Sequence, residues 1–162
     1  MKFLSLQHIA IEDPGTFKDF LLDDGHSLTT IQLDEGENIP SNLDEFDAML
    51  CMGGPMDTHM EQEYPWLVPE KKAIGEYVLN LEKPFLGFCL GCQLLGEVLG
   101  GQVVKSNPSE IGVLDIHSQE DIKIDPVFNF LPSTYKALQW HSYEVAGLEL
   151  SLIHISEPTR PS

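Results

Sequence analysis

Gly87-Phe88-Cys89-Leu90-Gly91 constrains the architecture of this chain more than any other stretch. It lies between a short apolar run, Phe85 to Phe88, and a helix-like segment, Leu90 to Leu99, that closes at Gly100-Gly101. A side chain presented at a sharp strand-to-helix turn holds its backbone in a strained conformation, so its neighbours must be small. Gly87 and Gly91 meet that need. The pattern G-x-C-x-G is the thiol form of a nucleophile elbow. Cys89 would stand just before a helix N-terminus, where the dipole and the free amides favour a thiolate. The amide of Leu90, one residue on, is placed to donate to an oxyanion.

An elbow of this kind needs strands and helices in alternation, and the rest of the chain supplies them. Strands are predicted over Phe3–Ile9, Ser27–Leu33, Phe46–Met52 and Phe85–Phe88. Helices are predicted over Pro14–Leu22, with Phe17, Phe20 and Leu21 on one face, and over Pro69–Leu81. In the second helix Pro69 suits the first turn, and Ile74, Tyr77, Val78 and Leu81 form an apolar stripe. Asp34 to Asp47 reads as an acidic surface loop. Later strands are expected at Gln102–Val104, Gly112–His117 and Tyr135–Trp140. The fold class is therefore α/β, a mostly parallel sheet with helices on both faces. Sites in such sheets lie beyond the carboxyl ends of the strands. Gly53-Gly54-Pro55 and Cys89 both fall at such ends, and the glycine loop is a second source of oxyanion-binding amide.

Charge and cysteine usage narrow the function classes. The formal net charge of -17 argues against nucleic-acid and anionic-membrane partners, which need basic patches. No apolar run approaches the roughly 20 residues of a membrane span, and Met1-Lys2-Phe3-Leu4-Ser5-Leu6 turns polar too soon for a signal peptide. The three cysteines Cys51, Cys89 and Cys92 form no disulfide framework, so a reducing cytoplasm is the expected compartment. Cys89-Leu90-Gly91-Cys92 is also a C-x-x-C. A zinc site would need further ligands, and no second C-x-x-C exists. A thioredoxin-like pair fits the helix start but gives Gly87, Gly91 and the Gly-Gly-Pro loop no role. Cys92 is therefore read as a small helix residue, and neither metal nor cofactor is expected.

Three segments together, FLGFCLGCQLLGEVLGG, MLCMGGPMD and LQWHSYEV, resemble the class I glutamine amidotransferases. The resemblance is to stand-alone proteins similar to the amidotransferase domain of GMP synthase, and it runs from about Met1 to Leu148. It implies a flavodoxin-like sheet and hydrolysis of the glutamine side-chain amide. By this resemblance Cys89 attacks the amide carbon and forms a glutamyl thioester, Gly54 and Leu90 supply the oxyanion hole, and Gln93 helps hold the substrate. His141, Ser142 and Tyr143 would contact the substrate's amino-acid end, with Trp140 as packing. The implied partners are glutamine or a γ-glutamyl compound and a separate ammonia-accepting synthetase. The alternatives are a γ-glutamyl hydrolase-like peptidase on the same fold, or a thiol-redox or binding protein using Cys89 and Cys92.

The family's base is a histidine in a late H-x-E motif, and no such pair follows His141. Of the six histidines, His8 ends the first strand without an assigned role, His26 and His117 look peripheral, and His59 is a mild substrate-contact candidate. His154 and Glu157 lack the spacing. Residues 151–162, SLIHISEPTRPS, resemble translated adapter sequence. The expectation is an incomplete domain over 1–150, missing its C-terminal strands, followed by a non-native tail over 151–162.

Overall fold

The computed structural model describes residues 1–118, 123, 128–148 and 157–158. The chain divides into two units, Met1–Gly101 and Gln102–Ser162. In the first, β1 (Lys2–Gln7), β2 (Ser27–Gln32), β3 (Ala48–Cys51) and β4 (Phe85–Gly87) form a four-stranded, wholly parallel sheet in the order β2-β1-β3-β4. Its helices are α1 (Thr16–Asp23), α2 (Leu67–Gly75), which runs on as a wider π-helical turn over Glu76–Asn80, and α3 (Leu90–Val98).

Strand periodicity sorts the core into two layers. Leu4, Leu6, Met49 and Cys51 pack with Leu67, Ile74 and Tyr77 of the α2 segment and with Leu90 and Leu94 of α3. Leu50 and Met52 point the other way and pack with Leu21 of α1, flanked by Phe3, Phe17, Leu28 and Leu86. The sheet is therefore covered on both faces. The α1 stripe is narrower than the sequence suggests: Leu21 is buried and Phe17 half-buried, but Phe20 is 62% exposed. The α2 stripe holds, with Pro69 in the first turn and the Tyr77 hydroxyl donating to the Phe46 carbonyl at 3.0 Å. The helix over Leu90–Val98 closes in a Schellman motif: Gly100 has φ +92°, its N–H bonds the Glu97 carbonyl, and the Gly101 N–H bonds the Gly96 carbonyl.

The strand order places a switch point. From β1 the chain crosses to β2 on one side, then returns to β3 on the other. The carboxyl ends of β1 and β3 thus flank the crevice where open parallel sheets bind ligands. His8 follows β1 there, and Gly53-Gly54 follows β3.

The second unit is antiparallel. β5 (Gln102–His117) and β6 (Thr134–Ala146) form a long hairpin whose register shifts between Lys105 and Glu110. The two strands predicted at 102–104 and 112–117 are one strand. β7 (Glu157–Pro158) pairs with β5 at His117 and Ile116. Apart from those two residues, the expectation of a foreign tail over 151–162, His154 included, falls outside the described residues. Trp140, expected to pack, is 73% exposed opposite Ile111.

Candidate active site

The elbow is present as read. Cys89 has φ +48° and ψ −105°, one of two non-glycine residues at positive φ among the described residues. It joins β4 to α3 directly. The fit around it explains both glycines. A Cβ on Gly87 would come within 2.5 Å of the Gly91 carbonyl carbon and 2.6 Å of the Cys92 nitrogen. A Cβ on Gly91 would strike the Cys51 carbonyl group, with its carbon at 2.7 Å. The same Cys51 carbonyl accepts the Phe88 N–H at 2.9 Å, tying the elbow to the end of β3. Gly91→Ala therefore sets a side chain against backbone that cannot yield. It is expected to cost stability at the upper end of the about 1–3 kcal/mol of overpacking. A urea titration checks this, the midpoint falling with the slope unchanged.

Gly54 and Leu90 are brought together beside the cysteine. A Cβ on Gly54 would sit 3.1 Å from Leu90 Cδ2 and 3.1 Å from His8 Cβ, and one on Gly53 would sit 3.6 Å from Cys89 Cβ. The Glu12 carboxylate lies against the Gly53 α-carbon. The Cys89 thiol is solvent-exposed and takes a hydrogen bond from the Leu90 amide. That bond favours the thiolate, as the sequence suggests, but it does not prevail: partial burial raises the thiol's pKa, the Glu12 charge adds to the rise, and the net shift is upward. Activation of Cys89 thus needs a base. Gln93 is half-buried in the first turns of α3, and its backbone N–H bonds the Cys89 carbonyl at 3.1 Å. Cys92 is a free, half-buried thiol in the same turn.

His141, Ser142 and Tyr143 belong to the second unit, within β6 rather than at a strand end. His141 pairs across the hairpin with Glu110, its Nε2 3.2 Å from Glu110 Oε2 and 2.9 Å from Gln139 Oε1. His59 is exposed in the loop after Gly54. It does head a His59-Met60-Glu61 sequence, but the Glu61 carboxylate is engaged by Lys71 at 2.8 Å.

Sequence reasoning missed a buried cluster beneath the glycine loop. His8, Cys51 and Glu70 are each 0% exposed. His8 Nδ1 donates to the Gly53 carbonyl at 2.9 Å, and its Nε2 meets Glu70 Oε1 at 2.8 Å. The Cys51 thiol donates to the same carboxylate oxygen at 3.3 Å. The three donor atoms lie within 4.8 Å, the reach of a metal site, but these bonds already pair them with one another. Burial disfavours the His8 cation; the hydrogen bond and charge of Glu70, the Gly53 carbonyl and the Glu12 charge outweigh it, so the pKa is raised. Burial holds the Cys51 thiol well above its usual range, with the Glu70 charge adding to it. The missed signal was Glu70 itself, a carboxylate between Leu67 and Ile74 on the buried stripe of α2.

Fold and elbow together place the chain among α/β proteins that carry a cysteine at a strand-to-helix turn beside a glycine loop. The profile described as "Glutamine amidotransferase class-I" matches residues 18–158. This protein belongs to the class I glutamine amidotransferase family. It is 31% identical over 144 residues to the glutamine amidotransferase-like protein YfeJ of Salmonella typhimurium, covering 87% of this chain and 59% of that one. It is 35% identical over 103 residues to one of the subunits of the glutamine-hydrolyzing GMP synthase of Sulfolobus acidocaldarius, covering 64% of this chain and 50% of that one. A crystallised glutamine amidotransferase of Thermotoga maritima superposes with a TM-score of 0.82 at 31% identity, covering 90% of this chain and 62% of that one. The chain thus spans about half to three fifths of the length of these relatives. Among the described residues no helix is long and apolar enough to cross a membrane.

Proposed function

We propose that this chain carries the nucleophile half of a glutaminase site. The observation that carries the reading is Cys89 at φ +48°, held between β4 and α3 with the Gly53-Gly54 loop beside it. The thiolate adds to the side-chain amide carbon of glutamine, and the carbonyl oxygen becomes an oxyanion bound by the Gly54 and Leu90 amides. Ammonia leaves with a proton, a glutamyl thioester remains, and water releases glutamate and the thiol. Gln93 and the His141-Ser142-Tyr143 segment contact substrate, and the ammonia passes to a separate synthetase. The relative from Sulfolobus acidocaldarius, one of several subunits of a GMP synthase by its name, supports a partner of that kind.

The raised Cys89 thiol and the lack of an H-x-E pair after His141 set the expected behaviour of a polypeptide of Met1–Ser162. It should take up one equivalent of a glutamine-derived chloroketone at Cys89, yet show no sustained release of ammonia from glutamine. Intact-mass spectrometry and an ammonia assay test both halves. Failure of the chloroketone to outpace iodoacetamide at Cys89 would remove the glutaminase reading. Steady turnover abolished by Cys89→Ala would show instead that a base is already present.

A further inference from the structure

The buried pair beneath the glycine loop has no part in the chemistry just described, yet it touches the peptide that this chemistry depends on. His8 Nδ1 donates to the carbonyl of Gly53, and that carbonyl shares its peptide unit with the Gly54 N–H. In a planar trans peptide the C=O and N–H point in opposite directions. Pinning the Gly53 oxygen inward on a fully buried imidazole therefore turns the Gly54 N–H outward. Hydrogen bonding to the carbonyl also polarises the unit and makes its N–H a stronger donor. Glu70 fixes the other ring nitrogen at 2.8 Å, so the imidazole can neither rotate nor exchange its partners. Glu70 is itself held by the Cys51 thiol, at the last residue of β3.

We propose that His8 and Glu70 are positioning residues that orient the Gly53–Gly54 peptide so that the Gly54 amide serves as an oxyanion donor. This rests on the glutaminase reading. The pair touches no substrate; it acts through the backbone between His8 and Cys89. The cluster, reached from β1, β3 and α2, spans the switch point at which the loop begins.

The two ring nitrogens have different jobs, and two amide substitutions separate them. Asparagine places a donor near the Nδ1 position and glutamine near the Nε2 position. His8→Gln keeps the contact with Glu70 but loses the bond to Gly53. His8→Asn keeps the bond to Gly53 but leaves Glu70 unpaired. The measurement is the rate of Cys89 labelling by a glutamine-derived chloroketone divided by its rate with iodoacetamide. Addition of the thiolate to the ketone creates an alkoxide that needs the oxyanion donors, after which chloride leaves as the thioether forms. Iodoacetamide alkylation displaces iodide and creates no oxyanion, so the ratio isolates the donors from thiol reactivity.

In His8→Gln the ratio should fall at least about tenfold, since loss of one oxyanion donor costs about 10²–10³ in rate in other enzymes. In His8→Asn the ratio should stay within about twofold of the parent, although that variant melts lower. A purely structural role predicts the reverse, with the ratio tracking melting temperature, and that result would overturn the proposal. If the parent shows no chloroketone preference, the glutaminase reading fails first and the positioning role goes with it. If the parent shows the preference and His8→Gln keeps it, the reading stands and only the positioning role is lost.

Discussion

Cys89→Ala is expected to abolish covalent uptake of a glutamine-derived chloroketone, while Cys92→Ala leaves it intact. The three free thiols differ in what surrounds them. Cys51 is buried and hydrogen-bonded to Glu70, so it is closed to reagents and its thiol stays protonated. Cys92 is half-buried, and burial, then the neighbouring Cys89, raises its pKa. Cys89 alone is exposed, on a strained turn, with an amide aimed at its sulfur. Peptide mapping after labelling should therefore find the adduct on Cys89 only. The label should survive reduction, and Cys92→Ala should change its rate by less than about twofold. Labelling lost equally in both variants would point instead to the two thiols acting as a redox pair.

The elbow was legible because its requirements are local. A positive-φ cysteine between a strand and a helix needs glycine on either side, and Gly87 and Gly91 are close in sequence to the residue they serve. The parallel sheet was legible for a similar reason: Leu4 and Leu6, or Met49 and Cys51, announce a strand buried on both faces. Phe20 misled because hydrophobicity alone does not say how wide the contact between α1 and the sheet is. The later strands were found, but their pairing was not. Nothing in the apolar pattern distinguishes a strand that joins a parallel sheet from one that folds back as half of the β5–β6 hairpin, so His141 sits mid-strand rather than at an end. The His8–Glu70 pair was hidden for a different reason. Its members lie on separate elements, 62 residues apart, and each looks ordinary until the fold removes both from water.

Glu70→Leu tests the energetics of that pair. Removing one member of a buried ion pair strands the other, at a cost of about 3–5 kcal/mol. His8→Leu combined with Glu70→Leu should cost less than either change alone implies, because no charge is left uncompensated. The pH dependence carries the sign. Burial opposes the His8 cation but Glu70 more than compensates, so the folded pKa lies above the usual 6.5. The folded chain then holds a proton that the unfolded chain releases. The pair's contribution is full below about pH 6.5 and is lost as pH rises through the folded value. The buried Cys51 thiol adds a loss of the same sign, beginning near the ordinary thiol value of 9.0. Glu12 faces His8 from the loop after β1 and strengthens the effect. Between about pH 6 and pH 8.5 the urea midpoint of the parent should therefore decline, and in Glu70→Leu that decline should flatten or reverse. A variant that kept the parental slope would mean that His8 is neutral in the folded chain and that Glu70 carries the shared proton.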